Sequence, residues 1–233
     1  MRSLSRLLAL ALLAALITAC TAQSPRQLTE PNDALGTQWG EGIESRSTSV
    51  ALSRESTEPL AVQIIQYSGR QPEGRKVKEL QLDRGRIGLA ILDEQEKKLD
   101  LAQNSDHSQL QGRVGERYQI WLSNYGPTTY EIVSTVDGID VLNGSPGSFR
   151  NRGYVLYPGK TLLIEGFRKS RSEVAAFRFA KPGDAYAANT PAGDLRNLGT
   201  IGVAVFTLQA PSTGTSRAFP AEQGFAPPPS YSH

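Results

Sequence analysis

The stretch from Arg117 to Leu142 constrains the fold more tightly than any other part of the chain. Tyr118, Ile120 and Leu122 alternate with Arg117, Gln119, Trp121 and Ser123, which is the period of a half-buried strand. Thr129 to Val136 alternates in the same way, with Tyr130, Ile132, Ser134 and Val136 on one side. Asp137-Gly138 follows directly, and Ile139 to Leu142 resumes the apolar run. A two-residue turn that matches the strand twist needs positive φ, which Asp and Gly accept at low cost. The segment therefore predicts an antiparallel hairpin closed at Asp137-Gly138.

Similar signals recur on both sides. Leu60 to Tyr67 reads as a strand, with Ser47 to Leu52 as an earlier partner. Val77 to Leu82 and Arg86 to Leu92 are joined by Asp83-Arg84-Gly85, a tight-turn composition. The charged stretch 93–107 reads as an exposed loop or a frayed helical turn. Tyr154 to Tyr157, Thr161 to Phe167 and Glu173 to Ala180 are three further strands, and Asp184 to Ala188 fits one helical turn. Ile201 to Leu208 is apolar almost throughout, as a central strand would be. About eight to ten short, mostly antiparallel strands with glycine-marked turns predict an all-β domain, a sandwich or partly open barrel. The expected layout is a signal peptide over 1–19, a flexible tether over 20–45, the β-sandwich over 46–209 and a disordered tail over 210–233.

The first nineteen residues carry a different message. Arg2 and Arg6 precede an apolar run from Leu7 to Ile17, too short to span a bilayer comfortably, and small residues lead to Cys20. This is the layout of an export signal. Ile17-Thr18-Ala19-Cys20 also resembles a bacterial lipobox, which implies cleavage before Cys20 and attachment of lipid to its thiol. One acyl chain holds a protein only marginally, so stable anchoring takes more than one, and the resemblance implies three. Thr21, not Asp, follows Cys20, which places the expected anchor in the outer membrane.

Removing Arg2 and Arg6 from 25 basic residues leaves 23, equal to the 23 acidic ones. A neutral mature chain without a basic stripe argues against nucleic acid as a partner. Cys20 is the one cysteine, so no disulfide is available and stability must come from the packed core.

An ordered set of motifs in the second half resembles a family of uncharacterised exported proteins from proteobacteria. It comprises Val136 to Val141, Arg152 to Leu156, Pro158-Gly159, Ile164 to Arg168, Val174 to Phe179 and Ile201 to Phe206. Trp39-Gly40-Glu41 is similar to the start of such proteins. The resemblance covers roughly residues 115 to 207 and implies a β-rich envelope domain without assigned catalytic or binding residues.

Residue chemistry narrows the function further. His107 and His233 are the two histidines, and no Gly-x-Ser-x-Gly elbow occurs, so neither a histidine metal site nor a serine triad is indicated. No phosphate loop or dinucleotide fingerprint is present, so neither nucleotide nor other cofactor is expected. Asp137, Asp140 and Asn143 offer oxygens to calcium but lack the EF-hand spacing and its closing Glu. Glu41, Glu44, Glu131, Asp140 and Glu165 are the candidates for a paired acid and base on a glycan. Trp121, opposite Tyr118, Ile120 and Leu122, and Trp39 in its glycine-rich setting are the candidate ligand-binding residues; each fits equally a side chain covered by its own fold. The leading expectation is a non-catalytic binding or scaffolding lipoprotein, anchored to the membrane through Cys20 and contacting another envelope protein. The alternative is a binder or carboxylate-based hydrolase of glycan or peptidoglycan.

Overall fold

The computed structural model describes residues 33–104, 107–209 and 229. Its strands, in chain order, are β1 (Gly36–Glu44), β2 (Ser53–Arg54), β3 (Ala61–Ser68), β4 (Arg75–Val77), β5 (Leu80–Leu82), β6 (Ile87–Asp93), β7 (Leu101–Gln103) and β8 (Ser108–Gln111). They continue as β9 (Arg117–Asn124), β10 (Tyr130–Val136), β11 (Ile139–Asp140), β12 (Tyr154–Leu156), β13 (Thr161–Ile164), β14 (Gly166–Arg168), β15 (Glu173–Ala180) and β16 (Thr200–Gln209).

The predicted hairpin forms. Val136 pairs with Ile139, and the two residues between them have φ of 52° at Asp137 and 78° at Gly138. The alternation in β9 also holds: Tyr118, Ile120 and Leu122 are wholly buried, while Trp121 points the other way. The strands assemble into two sheets that make an open sandwich. A seven-stranded sheet runs β1-β15-β9-β6-β5, with β13 on β9 and β14 on β15. A nine-stranded sheet runs β11-β10-β16-β3-β8-β7-β4, with β12 on β10 and β2 on β16. All pairings are antiparallel except β3 with β8.

The inner faces meet over Tyr118, Phe177 and Phe179 from the smaller sheet and Ile65, Tyr67, Ile132, Val203 and Val205 from the larger. Phe179 stacks on Tyr118 at 4.4 Å between ring centroids. Burying each such side chain contributes about 1.5–3 kcal/mol, which is how a chain without disulfides holds two sheets together.

A polar tie crosses this apolar layer. Thr37 Oγ1 lies 2.7 Å from Tyr67 OH and 2.6 Å from Tyr118 OH. Asp137 accepts from Tyr67 OH at 2.6 Å, Thr37 N at 2.7 Å and Gly199 N at 2.9 Å. It thereby links β1, β3, the β10–β11 hairpin and the start of β16.

Three expectations need correction. Residues 36–44 belong to the sandwich, not to a tether, because they pair with β15 from Gly36↔Ala180 to Glu44↔Glu173. Their glycines serve close approach: a Cβ at Gly40 would stand 2.7 Å from Ala176 O. Ser47 to Leu52 forms no strand; Ser45 N and Ser47 N instead bond to Ser172 O and Arg171 O. The 93–107 stretch contains β7 and the approach to β8. Its charge is concentrated at the turn after β6, where Asp93 Oδ1 accepts from Gln95 N and Lys97 N. Cys20, the rest of the expected tether to residue 32, and the expected tail apart from Pro229 lie outside the described residues.

Candidate interaction face

The larger sheet turns one face away from the core, and that face is apolar where it should be wet. On β3 the inward set is Ala61, Gln63, Ile65 and Tyr67. Ile65 and Tyr67 decide the register: Ile65 is wholly buried and Tyr67 carries its hydroxyl to Asp137. A shift by one residue would expose both, so Val62 and Ile64 are forced outward, 48% and 54% exposed, with Leu60 beside them. Across the sheet, Val62 pairs with Ala204 and Ile64 with Gly202. Ala204 pairs in turn with Val133, and Phe206 with Glu131, so the apolar row runs on over three strands, exposed on β3 and buried at Ala204, Val133 and Phe206.

One end of the row is roofed by the loop that leads into β12. Arg54 does this. Its guanidinium lies 3.6 Å from the centroid of the Phe206 ring. Its Nε donates to Glu131 Oε2 at 2.5 Å, its Nη2 donates to Asn151 O at 2.5 Å, and its Nη1 donates to Phe149 O. Glu131 Oε1 accepts from Gly153 N at 2.7 Å. A buried carboxylate with an Arg and a backbone amide on its two oxygens is paired and satisfied. The result is a loop held down on Phe206, with Phe149 edge-on to that ring and 48% exposed at the rim.

The residues singled out from sequence are placed apart. Trp39 pairs with Phe177 and so shares the inner face of the smaller sheet, where its ring packs on Phe167 and on Tyr186 at 4.9 Å. Trp121 stands on the outer face of the same sheet, half-buried, with Lys98 Nζ 4.1 Å from its ring centroid. The two tryptophans therefore cannot line one surface. Lys98 is itself held by Glu79 at 2.5 Å, which keeps the cation over the indole.

The five candidate carboxylates are each committed to a partner. Glu41 receives two bonds of 2.7 Å from Arg178, which hold its carboxyl below the usual range. Glu44 pairs with Arg46, Glu165 with Arg117 and Glu131 with Arg54. Asp140 Oδ1 accepts from Leu142 N and Asn143 N, and its Oδ2 accepts from Asn151 Nδ2. Burial pushes the Asp140 carboxyl up, and hydrogen-bond donors occupy the oxygens that calcium would need. Among the described residues, no group of three or more His, Cys, Asp or Glu is placed to hold a metal ion. No described helix is long and apolar enough to cross a membrane.

The outward row on β3 escaped sequence reasoning although its signal was present. Leu60, Val62 and Ile64 alternate with Ala61 and Gln63, yet Ile65 and Tyr67 follow on the opposite phase. Both faces of the strand are apolar, and a sheet with one wet face has no use for that. No protein-family model, curated protein or solved structure matches the chain.

Proposed function

We propose that this chain is a bacterial envelope lipoprotein, held at the outer membrane through lipidated Cys20, whose sandwich is a non-catalytic binding or scaffolding module. The observation that carries the binding part is the row Leu60, Val62 and Ile64, half exposed at the start of a strand within the larger sheet. Contiguous apolar surface of this kind marks a contact with another protein. The commitment of each candidate carboxylate to its own partner supports a binding role over acid–base chemistry on a glycan. The anchor rests on the basic, apolar and small-residue layout that ends at Cys20.

In-cell crosslinking of the full chain from a photoreactive residue at position 62, with Cys20→Ser as a second arm, tests both parts. The reading expects a discrete crosslinked protein, lost with Ile64→Lys, and membrane release with Cys20→Ser. A chain that crosslinks to nothing and fractionates identically with and without Cys20 sinks it.

A further inference from the structure

We infer that the partner of the β3–β16 face is a second copy of this chain, related by a two-fold axis lying in the interface along β16; this rests on the reading of that face as a binding surface. Charge points to the second copy. Strand β16 has β10 on one flank and β3 on the other. Near the C-terminal end of β16, the β10 flank carries the loop that Arg54 pins down, and with it exposed Arg150 and Arg152. The β3 flank at the same level carries exposed Glu55 and Glu58, fixed there by Glu55 N to Thr207 O at 3.0 Å and Leu60 N to Val205 O at 2.7 Å. None of these four side chains has an ion-pair partner among the described residues, whereas nearby Arg54 and Glu131 pair with each other.

A two-fold axis along β16 keeps each residue at its level on the strand and exchanges the flanks. The basic flank of one copy then meets the acidic flank of the other, twice over, and Val62 and Ile64 stand at the levels of Val133 and Thr135 of the facing sheet. An isologous contact must be self-complementary in this way. Apolar surface supplies the attraction, and opposite charges fix the orientation and exclude wrong registers.

The test uses two differently tagged full-length copies expressed together and co-purified. Wild-type copies should co-purify. Arg150→Glu with Arg152→Glu makes both flanks acidic, and Glu55→Lys with Glu58→Lys makes both basic. Each double variant should associate with itself about tenfold less than wild type, while the acidic form mixed with the basic form recovers association. All four positions are exposed, so the variants should melt with the parent, which separates docking from folding. Charge-reversed forms that self-associate as well as wild type overturn the two-fold arrangement. Wild-type copies that never co-purify, while position 62 crosslinks to a different protein, overturn the second copy but leave the binding face standing. No crosslink of any kind removes both.

Discussion

Tyr67 donates its phenolic hydrogen to Asp137 Oδ1 across 2.6 Å, and this one bond orders the whole polar tie between the sheets. An ionised carboxylate only accepts. The Tyr67 oxygen must therefore accept from Thr37, whose single hydrogen is then spent, so Tyr118 must donate to Thr37. Burial pushes the Asp137 carboxyl up to about 6, against the pull of Tyr67 and of the Thr37 and Gly199 amides. Burial likewise raises both tyrosines well above their ordinary range, so they stay neutral donors.

The raised carboxyl sets a pH dependence. A carboxyl group whose folded value lies above its unfolded value binds protons more tightly in the native state. Its contribution to stability is full below about 4 and is lost as pH rises through about 6. The difference is about 3 kcal/mol. Asp137→Asn keeps a residue that accepts the left-handed turn but does not titrate. Relative to this variant, the wild type should lose about 2 kcal/mol between pH 4 and pH 7 in urea unfolding. A difference that stays flat with pH would remove the assignment.

Tyr67→Phe deletes one link of the tie and leaves Asp137 short of a donor in a buried site. The expected cost at pH 7 is about 1–3 kcal/mol. It should shrink at pH 4, where the protonated carboxyl needs the donor less. Denaturant midpoints at the two pH values check this.

Gly138→Val should lower Tm by about 5–10 °C. The position has φ of 78°, which costs a side-chain-bearing residue about 1–2 kcal/mol. An added Cβ would also stand 2.6 Å from Asn197 Nδ2. An unchanged melting curve would falsify the turn.

Arg54→Ala strips the buried Glu131 carboxylate of its cation and should cost about 3–5 kcal/mol. Arg54→Met with Glu131→Leu should lose less than the two single changes added together, by about 1–3 kcal/mol. Strict additivity in the double-mutant cycle would mean that the pair is not energetically coupled.

The two tryptophans should separate on truncation. Trp39→Ala opens a hole against Phe167 and Tyr186 and should cost about 3 kcal/mol. Trp121→Ala mainly gives up its contact with Lys98 and should cost about 1 kcal/mol. The reverse order in urea unfolding would place their faces wrongly.

Strands that carry bulky residues over a full length were legible from sequence alone: Arg117–Asn124 and Glu173–Ala180 begin and end where the sequence predicts. Strand β1 was hidden because its glycines, used for close packing, look like linker composition. Strands β7 and β8 span three and four residues, too few for a period to stand out beside charged neighbours. Asp137 was legible as a turn residue, and turn chemistry accounts for it so fully that nothing in the sequence hints at its burial. The union of Arg54 with Glu131 and with the loop before β12 depends on positions 77 to 97 residues apart, which no local pattern encodes.

Strand β1 also sets a working height. With the chain held at Cys20 as proposed, the fold takes hold just ahead of β1, since Asp33 O accepts from Gly69 N and Leu35 is buried in the core. The thirteen residue steps from Cys20 to Asp33 span at most about 45 Å. That limit is about 40 Å shorter than for a chain first held at residue 45. The point where each domain begins then lies within that radius of the bilayer, so two copies anchored in one membrane meet as near neighbours confined to a thin layer.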